Sequence, residues 1–421
     1  MIRLRHMVKV GPNPNEIRGL SMSDQVTFAP MDALADGIGG LDLSMTKPPG
    51  DIIGGSYNYF AEGDVLLAKV TPCFENGKKA IARGLHNGIG FATSEVHVLR
   101  PDHRKIDTRF LRYLLCSEDF RVEGMKSMTG AGGLRRVSEA GLLNFRPAVT
   151  DIETQKAIAD FLDREIARID QLIDKKQRLV KVLQEREEAA FLDVVTGNNL
   201  DGPKKASGVE WIGEIPTHWT APKFTHIAKQ ETGHTPSRSV SEYWKPEECV
   251  IPWVSLADVW QLRSGQKVYI EDTAEKISNL GMANSAARLL PLGTVVLSRT
   301  ASVGFPGILA KPMATTQDFA AWICGRGIRP KFLYYVLRSM KPEFRRLMMG
   351  STHQTIYMPD IRSFRAPLPP LGEQDTICGK LYAEIASFRA ASTSIEASIE
   401  CLREFRAALI TAAVTGQIDV T

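Results

Sequence analysis

Four glycine-bearing stretches gather the side chains that can pair with phosphates and the edges of bases. Lys69, Thr71, Asn76, Lys78, Lys79 and Arg83 crowd around Gly77, and Arg135 and Arg136 follow Gly130-Ala131-Gly132-Gly133. Later in the chain Ser298, Arg299, Thr300 and Ser302 precede Gly304, while Ser351, Thr352, His353, Gln354 and Thr355 follow Gly350. Arginine matches guanine, and asparagine or glutamine matches adenine, through paired hydrogen bonds in the major groove. Hydroxyls and lysines suit phosphate oxygens, and glycine lets backbone come close to them. Solvated turns share this composition, so the reading rests on the four loops as a set. Trp253, Trp260 and Tyr269 are read as core residues rather than stacking platforms.

No catalytic constellation accompanies these loops. Gly130–Gly133 lacks the Gly-Lys-Ser/Thr ending of a phosphate loop and the strand–GxGxxG–helix setting of a dinucleotide site. Gly77-Lys78-Lys79 lacks the earlier glycine, and neither Asn-Pro-Pro-Tyr nor Asp-Pro-Pro-Tyr occurs for adenine methylation. The eight histidines form no HExxH pair, and Asp163, Asp170 and Asp174 are spaced as a helical stripe. Six scattered cysteines without CxxC spacing read as reduced thiols, neither zinc ligands nor a disulfide frame. The expectation is a chain with no catalytic residue, metal site or cofactor of its own.

The elements that must position the loops are duplicated. Gln155-x-x-Ile opens a segment that closes on Val195-Thr196-Gly197, and Gln374-x-x-Ile opens another that closes on Val414-Thr415-Gly416. The separation is identical at both ends (374 − 155 and 415 − 196 are both 219), so neither copy has gained or lost a residue. Apolar residues fall at three- and four-residue steps: Ile158, Leu162, Ile169, Leu172, Leu179 and Leu183 in the first. Ile377, Leu381, Phe388, Ile395, Leu402, Phe405 and Leu409 form the stripe of the second. Thr150-Asp151-Ile152-Glu153 has capping-box spacing at the first start, and Gly197 is placed to stop the helix. Each helix would be about 60 Å long and needs a partner to bury its stripe, which an antiparallel pair supplies.

Between the helices lie short β-type runs punctuated by glycine and proline. Val65–Ala68 corresponds to Val295–Ser298, the helical Phe110–Leu115 to Phe332–Leu337, and a closing strand Asn144–Pro147 to Ser363–Pro367. The expected fold is α+β: two α/β globules separated by two long antiparallel helices forming an intramolecular coiled coil, in a pseudo-twofold repeat. With 421 residues, 43% hydrophobic and 24% charged, the chain can fill two or three cores. A net charge of +4 leans basic without establishing a nucleic-acid partner. No run is long and apolar enough for a membrane span, and the N-terminus lacks a signal-peptide core, so a cytoplasmic location is expected.

At this point the chain resembles a family, the specificity subunits of type I restriction–modification systems. Trp211-Ile212-Gly213-Glu214-Ile215-Pro216-Thr217-His218-Trp219 is similar to the opening of a target-recognition domain there. Pro367-Leu368-Pro369-Pro370-Leu371-Gly372-Glu373-Gln374 is similar to the junction into a spacer helix. The first half has no counterpart of Trp211–Trp219, and its junction, Arg146-Pro147-Ala148-Val149, lacks the double proline. The resemblance implies target-recognition domains over 1–150 and 209–370, spacer helices over 151–197 and 371–416, a linker over 198–208 and a tail over 417–421. It also implies double-stranded DNA with a bipartite site and two methyltransferase (modification) subunits as partners, with motor-nuclease (restriction) subunits able to join. S-adenosylmethionine, ATP and magnesium would belong to those partners. Two alternatives stay open: a coiled-coil scaffold binding proteins only, and the specificity subunit of a methylation-only system.

Overall fold

Contacts divide the chain into two units, and the division falls inside both long helices. The computed structural model describes residues 2–130, 133–263, 265, 267–348 and 354–420. Unit 1 comprises Met1–Arg178 with Ile395–Thr421, and unit 2 comprises Leu179–Ser394. Unit 1 holds strands β1 (Val8–Val10), β2 (Val26–Ala29), β3 (Thr46–Lys47), β4 (Tyr57–Ala61) and β5 (Val65–Ala68). It continues with β6 (Lys79–Ile81), β7 (Ile89–Thr93), β8 (Val96–Pro101), β9 (Met128–Thr129) and β10 (Arg136–Val137). Its helices are α1 (Thr108–Leu114), α2 (Glu118–Lys126), α3 (Glu139–Asn144) and the first part of α4 (Ile152–Thr196).

Unit 2 repeats the plan. Its strands are β11 (Lys204–Ala206), β12 (Glu214–Pro216), β13 (Ala228–Thr232), β14 (Cys249–Val254) and β15 (Tyr269–Ile270). They are followed by β16 (Glu275–Ser278), β17 (Val295–Ser298), β18 (Pro306–Leu309), β19 (Ala314–Thr315) and β20 (Phe319–Cys324). Its helices are α5 (Phe224–Ile227), α6 (Trp260–Arg263), α7 (Asn279–Ala283), α8 (Pro330–Ser339), α9 (Lys341–Met348), α10 (Met358–Ser363) and the first part of α11 (Leu371–Val414). The main sheet of unit 1 runs β1-β8-β5-β6, and that of unit 2 runs β13-β20-β17-β18-β15. The second sheets are β3-β2-β7-β4 and β16-β14-β19, each built around one parallel pair, β2 with β7 and β14 with β19. The runs Val65–Ala68 and Val295–Ser298 are buried at every residue. That is what a short uninterrupted apolar run bounded by glycine requires of a central strand.

Gln155 and Gln374 explain why the repeat opens on glutamine. Gln155 Oε1 accepts the Asp107 amide at 2.9 Å, and Nε2 donates to the carbonyls of Lys105 (3.1 Å) and Thr150 (2.9 Å). Gln374 Oε1 accepts the Arg329 amide at 2.8 Å, and Nε2 donates to Gly327 and Pro369, both at 2.9 Å. Both side chains are fully buried, so each amide satisfies the backbone of the loop before α1 or α8 and of the entry to its own helix. The far ends match too. Thr196 Oγ1 donates to Leu192 O and Thr415 Oγ1 to Thr411 O, each at 2.7 Å. Gly197 and Gly416 take φ of 74° and 73°, the left-handed conformation that glycine adopts without strain. The next amides, Asn198 and Gln417, reach back to Asp193 and Ala412 at 2.8 Å and close both helices alike.

Within unit 1, Ile158, Leu162 and Ile166 of α4 share a core with Ile410, Ala413 and Val414 of α11. Further along α4, Ile169 and Ile173 meet Ile399. Rising numbers on one helix meet falling numbers on the other, so the pair is antiparallel. Arg406 of α11 also donates to Asp170 of α4. In unit 2, Phe191, Val194 and Val195 share a core with Ile377, Leu381 and Ile385.

The seam differs in detail from the sequence expectation. Ile158, Leu162, Ile169, Ile377 and Leu381 are buried, and Leu183, Phe388, Ile395, Leu402 and Leu409 are half-buried. Leu172, Leu179 and Phe405 are 41%, 48% and 56% exposed, while Ile166, Ile173, Ile385, Ile399 and Ile410 take the buried stripe. A three-residue step undershoots a full turn, and where the stripe takes the four-residue step, from Ile169 to Ile173, Leu172 is left beside it. Asp151 rather than Thr150 caps α4, accepting the Thr154 amide and hydroxyl at 2.9 and 2.8 Å. The stretches 144–147 and 363–367 are not strands. Asn144 and Ser363 end α3 and α10, and Phe145 and Phe364 then accept the amides of Leu4 (2.9 Å) and Phe224 (2.8 Å). Part of the expected linker is also structured, since β11 pairs with β12.

Replacing Gln155 or Gln374 with leucine should destabilise its own unit by roughly 2–4 kcal/mol, because three backbone groups lose a buried side-chain partner. Chemical denaturation checks this, and a cost near zero at both positions would show that the amides are not anchors.

Candidate nucleic-acid interface

The four loops come together as two pairs, one pair in each unit. In unit 1 the chain leaving β5 lies beside the chain entering β10. Thr71 N–H donates to Arg135 O at 2.9 Å, Val137 N–H donates to Lys69 O at 2.8 Å, and Val70 bridges Arg136. In unit 2 the chain leaving β17 lies beside the chain after α9. Ala301 N–H donates to Gln354 O and Ile356 N–H to Arg299 O, both at 2.9 Å, and Thr300 bridges Thr355. The same short antiparallel ladder therefore joins corresponding loops on corresponding strands.

Several expected contact residues hold this ladder and do not face outward. Thr71 is buried, with Oγ1 donating to Gly133 O at 2.8 Å and accepting the Arg135 amide at 2.9 Å. Gly130 is needed beside it, because at φ 128° a Cβ would lie 2.5 Å from Leu134 O. Lys78 turns inward, donating to Leu34 O at 2.9 Å, and Lys79 is only 4% exposed. Ser298 is fully buried and accepts the Phe305 amide at 3.1 Å. Arg299 donates through Nε to Gln317 O at 2.9 Å, and Thr300 Oγ1 donates to Asp318 at 2.5 Å. Ala301 adopts φ 54°, a left-handed conformation uncommon for a residue with a Cβ. Ser351, Thr352 and His353 lie outside the described residues.

Asn76, Arg83, Arg135, Arg136 and Gln354 are exposed, and Lys69, Ser302 and Thr355 are half-buried. Arg136 is committed for the present to Glu95, its guanidinium forking onto both carboxylate oxygens at 2.8 Å. Those hydrogen bonds, against a smaller opposing effect of burial, hold the Glu95 carboxyl below the usual carboxylate range, with Lys69 adding to the effect. Beneath the ladder His97 is buried and contacts Val137 O at 3.1 Å, and burial pushes its pKa down.

Unit 2 also exposes groups that sequence reasoning set aside. Trp253 is core, but Trp260 is 65% and Tyr269 47% exposed. Arg263, at the end of the same short helix as Trp260, donates to Ser302 Oγ at 3.3 Å. The tetrad Trp-Gln-Leu-Arg at 260–263 carries one signal that could have revealed this: only Leu262 is placed to bury, and it does.

Residues 216–399 match the family model of the type I restriction modification DNA specificity domain. Over that stretch the chain is similar to type I specificity subunits. It is 34% identical over 166 residues to the specificity subunit of the type I restriction enzyme EcoAI of Escherichia coli, a stretch taking in 38% of this chain and 28% of that one. It is 29% identical over 168 residues to the MjaIX specificity subunit of Methanocaldococcus jannaschii, 39% of this chain and 38% of that one. The chain thus spans well under half the length of these curated relatives. Among solved structures, a chain of a type I R-M system superposes with a TM-score of 0.72 at 16% identity, over 99% of this chain and 97% of that one. The HsdS subunit of Thermoanaerobacter tengcongensis gives 0.59 at 16% identity, over 99% and 96%. At that identity the likeness is one of fold. The α+β architecture with two long helices is the fold shared with that HsdS subunit.

A pH dependence follows from the Arg136–Glu95 fork. The folded pKa of Glu95 is depressed, so the pair is complete above the ordinary carboxylate range and is lost as pH falls through the depressed value. In Arg136→Gln, the Glu95 midpoint followed by NMR should rise toward its ordinary range near 4.3. An unmoved midpoint would mean that the fork does not form.

Proposed function

We propose that this chain is the sequence-specific DNA-binding subunit of a type I restriction–modification complex. Each unit reads one half of a bipartite duplex site, and the two long helices set the gap and dock two methyltransferase subunits. One observation carries the reading: both units present the same laddered loop pair on the same strands, with unlike side chains at the exposed positions. A common frame with different faces is what recognition of two different half-sites requires. Asn76, Arg83 and Arg135 in unit 1 supply an amide and guanidinium donors, whereas unit 2 offers Gln354, Arg263 and two exposed aromatics. Phosphate contacts would position the frame, and base-edge contacts would give it sequence.

The spacer role is supported by the near-equal lengths of α4 and α11, 45 and 44 residues, and by their matched end anchors. Two half-sites need a stiff separator, since a flexible one admits many gaps. On this proposal S-adenosylmethionine, ATP and magnesium are bound by the methyltransferase and motor-nuclease partners, and this chain carries out no catalytic step itself. It would act in the cytoplasm, and no described helix is long and apolar enough to cross a membrane. A scaffold that binds only proteins would lack the salt response described next.

Affinity for a duplex carrying the site should fall steeply with salt, and Arg135→Gln should flatten the log–log slope by about one. Inserting seven residues at matched positions in α4 and α11 adds about 10 Å of rod, or roughly three base pairs. Methylation mapping of the host genome should then show the same half-sites with a longer gap. Altered half-site bases at an unchanged gap would refute the spacer role.

A further inference from the structure

A cavity of about 160 Å³ opens in unit 1 between the loop around Gly77 and the C-terminal part of α11. The amine of Lys79 lies in its wall, 4% exposed. Among the described residues that ammonium donates to the thiol sulfur of Cys116 at 3.4 Å, and the same thiol donates to Arg112 O at 3.2 Å. An ammonium brings three donors, and a thiol is a weak acceptor, so a buried charge is left with little to offset its loss of water. Gly77 belongs to the design of this pocket. At φ 73° its missing side chain leaves room for the lysine, since a Cβ there would come within 3.3 Å of Nζ.

The cavity is lined by three further cations, Arg121, Arg403 and Arg406. Their acidic partners, Glu118, Glu400 and Asp170, pair with them from outside the lining. Among the described residues no carboxylate lines the cavity. In unit 2 a cavity is lined by Arg338 and Arg389, and both donate to the carbonyl of Gly265 in its wall. Unit 1 gathers four cations around its recess, and the arginines' carboxylate partners stand outside the described lining.

We propose that this recess binds a small phosphate-bearing anion. Its oxygens would accept from Lys79 Nζ and from the free N–H edges of the arginines, the charge-assisted arrangement that phosphate favours. The burial of Lys79 selects a free phosphate group over the backbone of a duplex, which is too broad to follow the amine inward. Because Lys79 sits on β6 and Arg403 and Arg406 on α11, the anion joins the first globule to the C-terminal helix within unit 1. This site is independent of the DNA-reading proposal.

The test uses the full chain, titrated with inorganic phosphate at constant ionic strength and followed by calorimetry and thermal unfolding. Saturable binding and a rise in Tm are expected for the native sequence. Lys79→Met should weaken phosphate binding by at least roughly tenfold. Arg403→Gln, a surface change that leaves the core intact, should weaken it severalfold, while neither variant alters affinity for duplex DNA. Equal phosphate responses in the native chain and Arg403→Gln would overturn the proposal even if Lys79→Met failed to fold. Loss of duplex affinity in Lys79→Met without any saturable phosphate binding would overturn it as well, by assigning the amine to the DNA backbone.

Discussion

The structure depends on one repeated hydrogen-bonded anchor, the fully buried glutamine amide at the head of each long helix. Gln155 and Gln374 each bind three backbone groups, one amide and two carbonyls, on the loop before a globule helix and on the approach to their own helix. A buried amide that satisfies three backbone groups cannot slide along the helix without leaving several of them unpaired. It therefore fixes where the helix begins relative to the sheet that carries the loops. Threonine and glycine at positions 196–197 and 415–416 fix where it ends. Between those fixed points an inserted residue would turn the helix by about 100° and carry its buried stripe out of the seam. The exact spacing of the repeat is the sequence record of that constraint.

On this anchored frame, similar sheets carry dissimilar loops. The ladder that joins them uses main-chain groups at 69–71 with 135–137 and at 299–301 with 354–356. Because the ladder is made by backbone, side chains along it are free to differ between units. Unit 1 presents arginines, one of them already matched with Glu95, while unit 2 exposes a tryptophan and a tyrosine. Frame and variation are thereby separated: buried strands and anchors hold the frame, and a few exposed positions differ between the units.

Much of this was legible in the sequence because it is periodic or punctuated. The helix ends, the central strands Val65–Ala68 and Val295–Ser298, and the matched order of elements announce themselves by spacing and by glycine. The choice among neighbouring apolar residues in the seam was not legible, since Leu172 and Ile173 are equally apolar and only packing decides which faces inward. Loop side chains were harder still. Lys79 and Ser298 have the composition of a phosphate contact, yet β6 and β17 bury them. Trp260 has the composition of a core residue, yet the four-residue helix carrying it buries Leu262 instead. Orientation on short elements depends on partners distant in the chain, which local pattern does not contain.

The central claim is that two anchored frames each meet DNA through their laddered loops. Hydroxyl-radical footprinting of the full chain on a duplex carrying its methylation site tests it most directly. The account predicts two protected tracts separated by an accessible gap, with Arg135→Gln weakening one tract and Gln354→Ala the other. A single continuous tract, or two tracts that both weaken with either substitution, would contradict it.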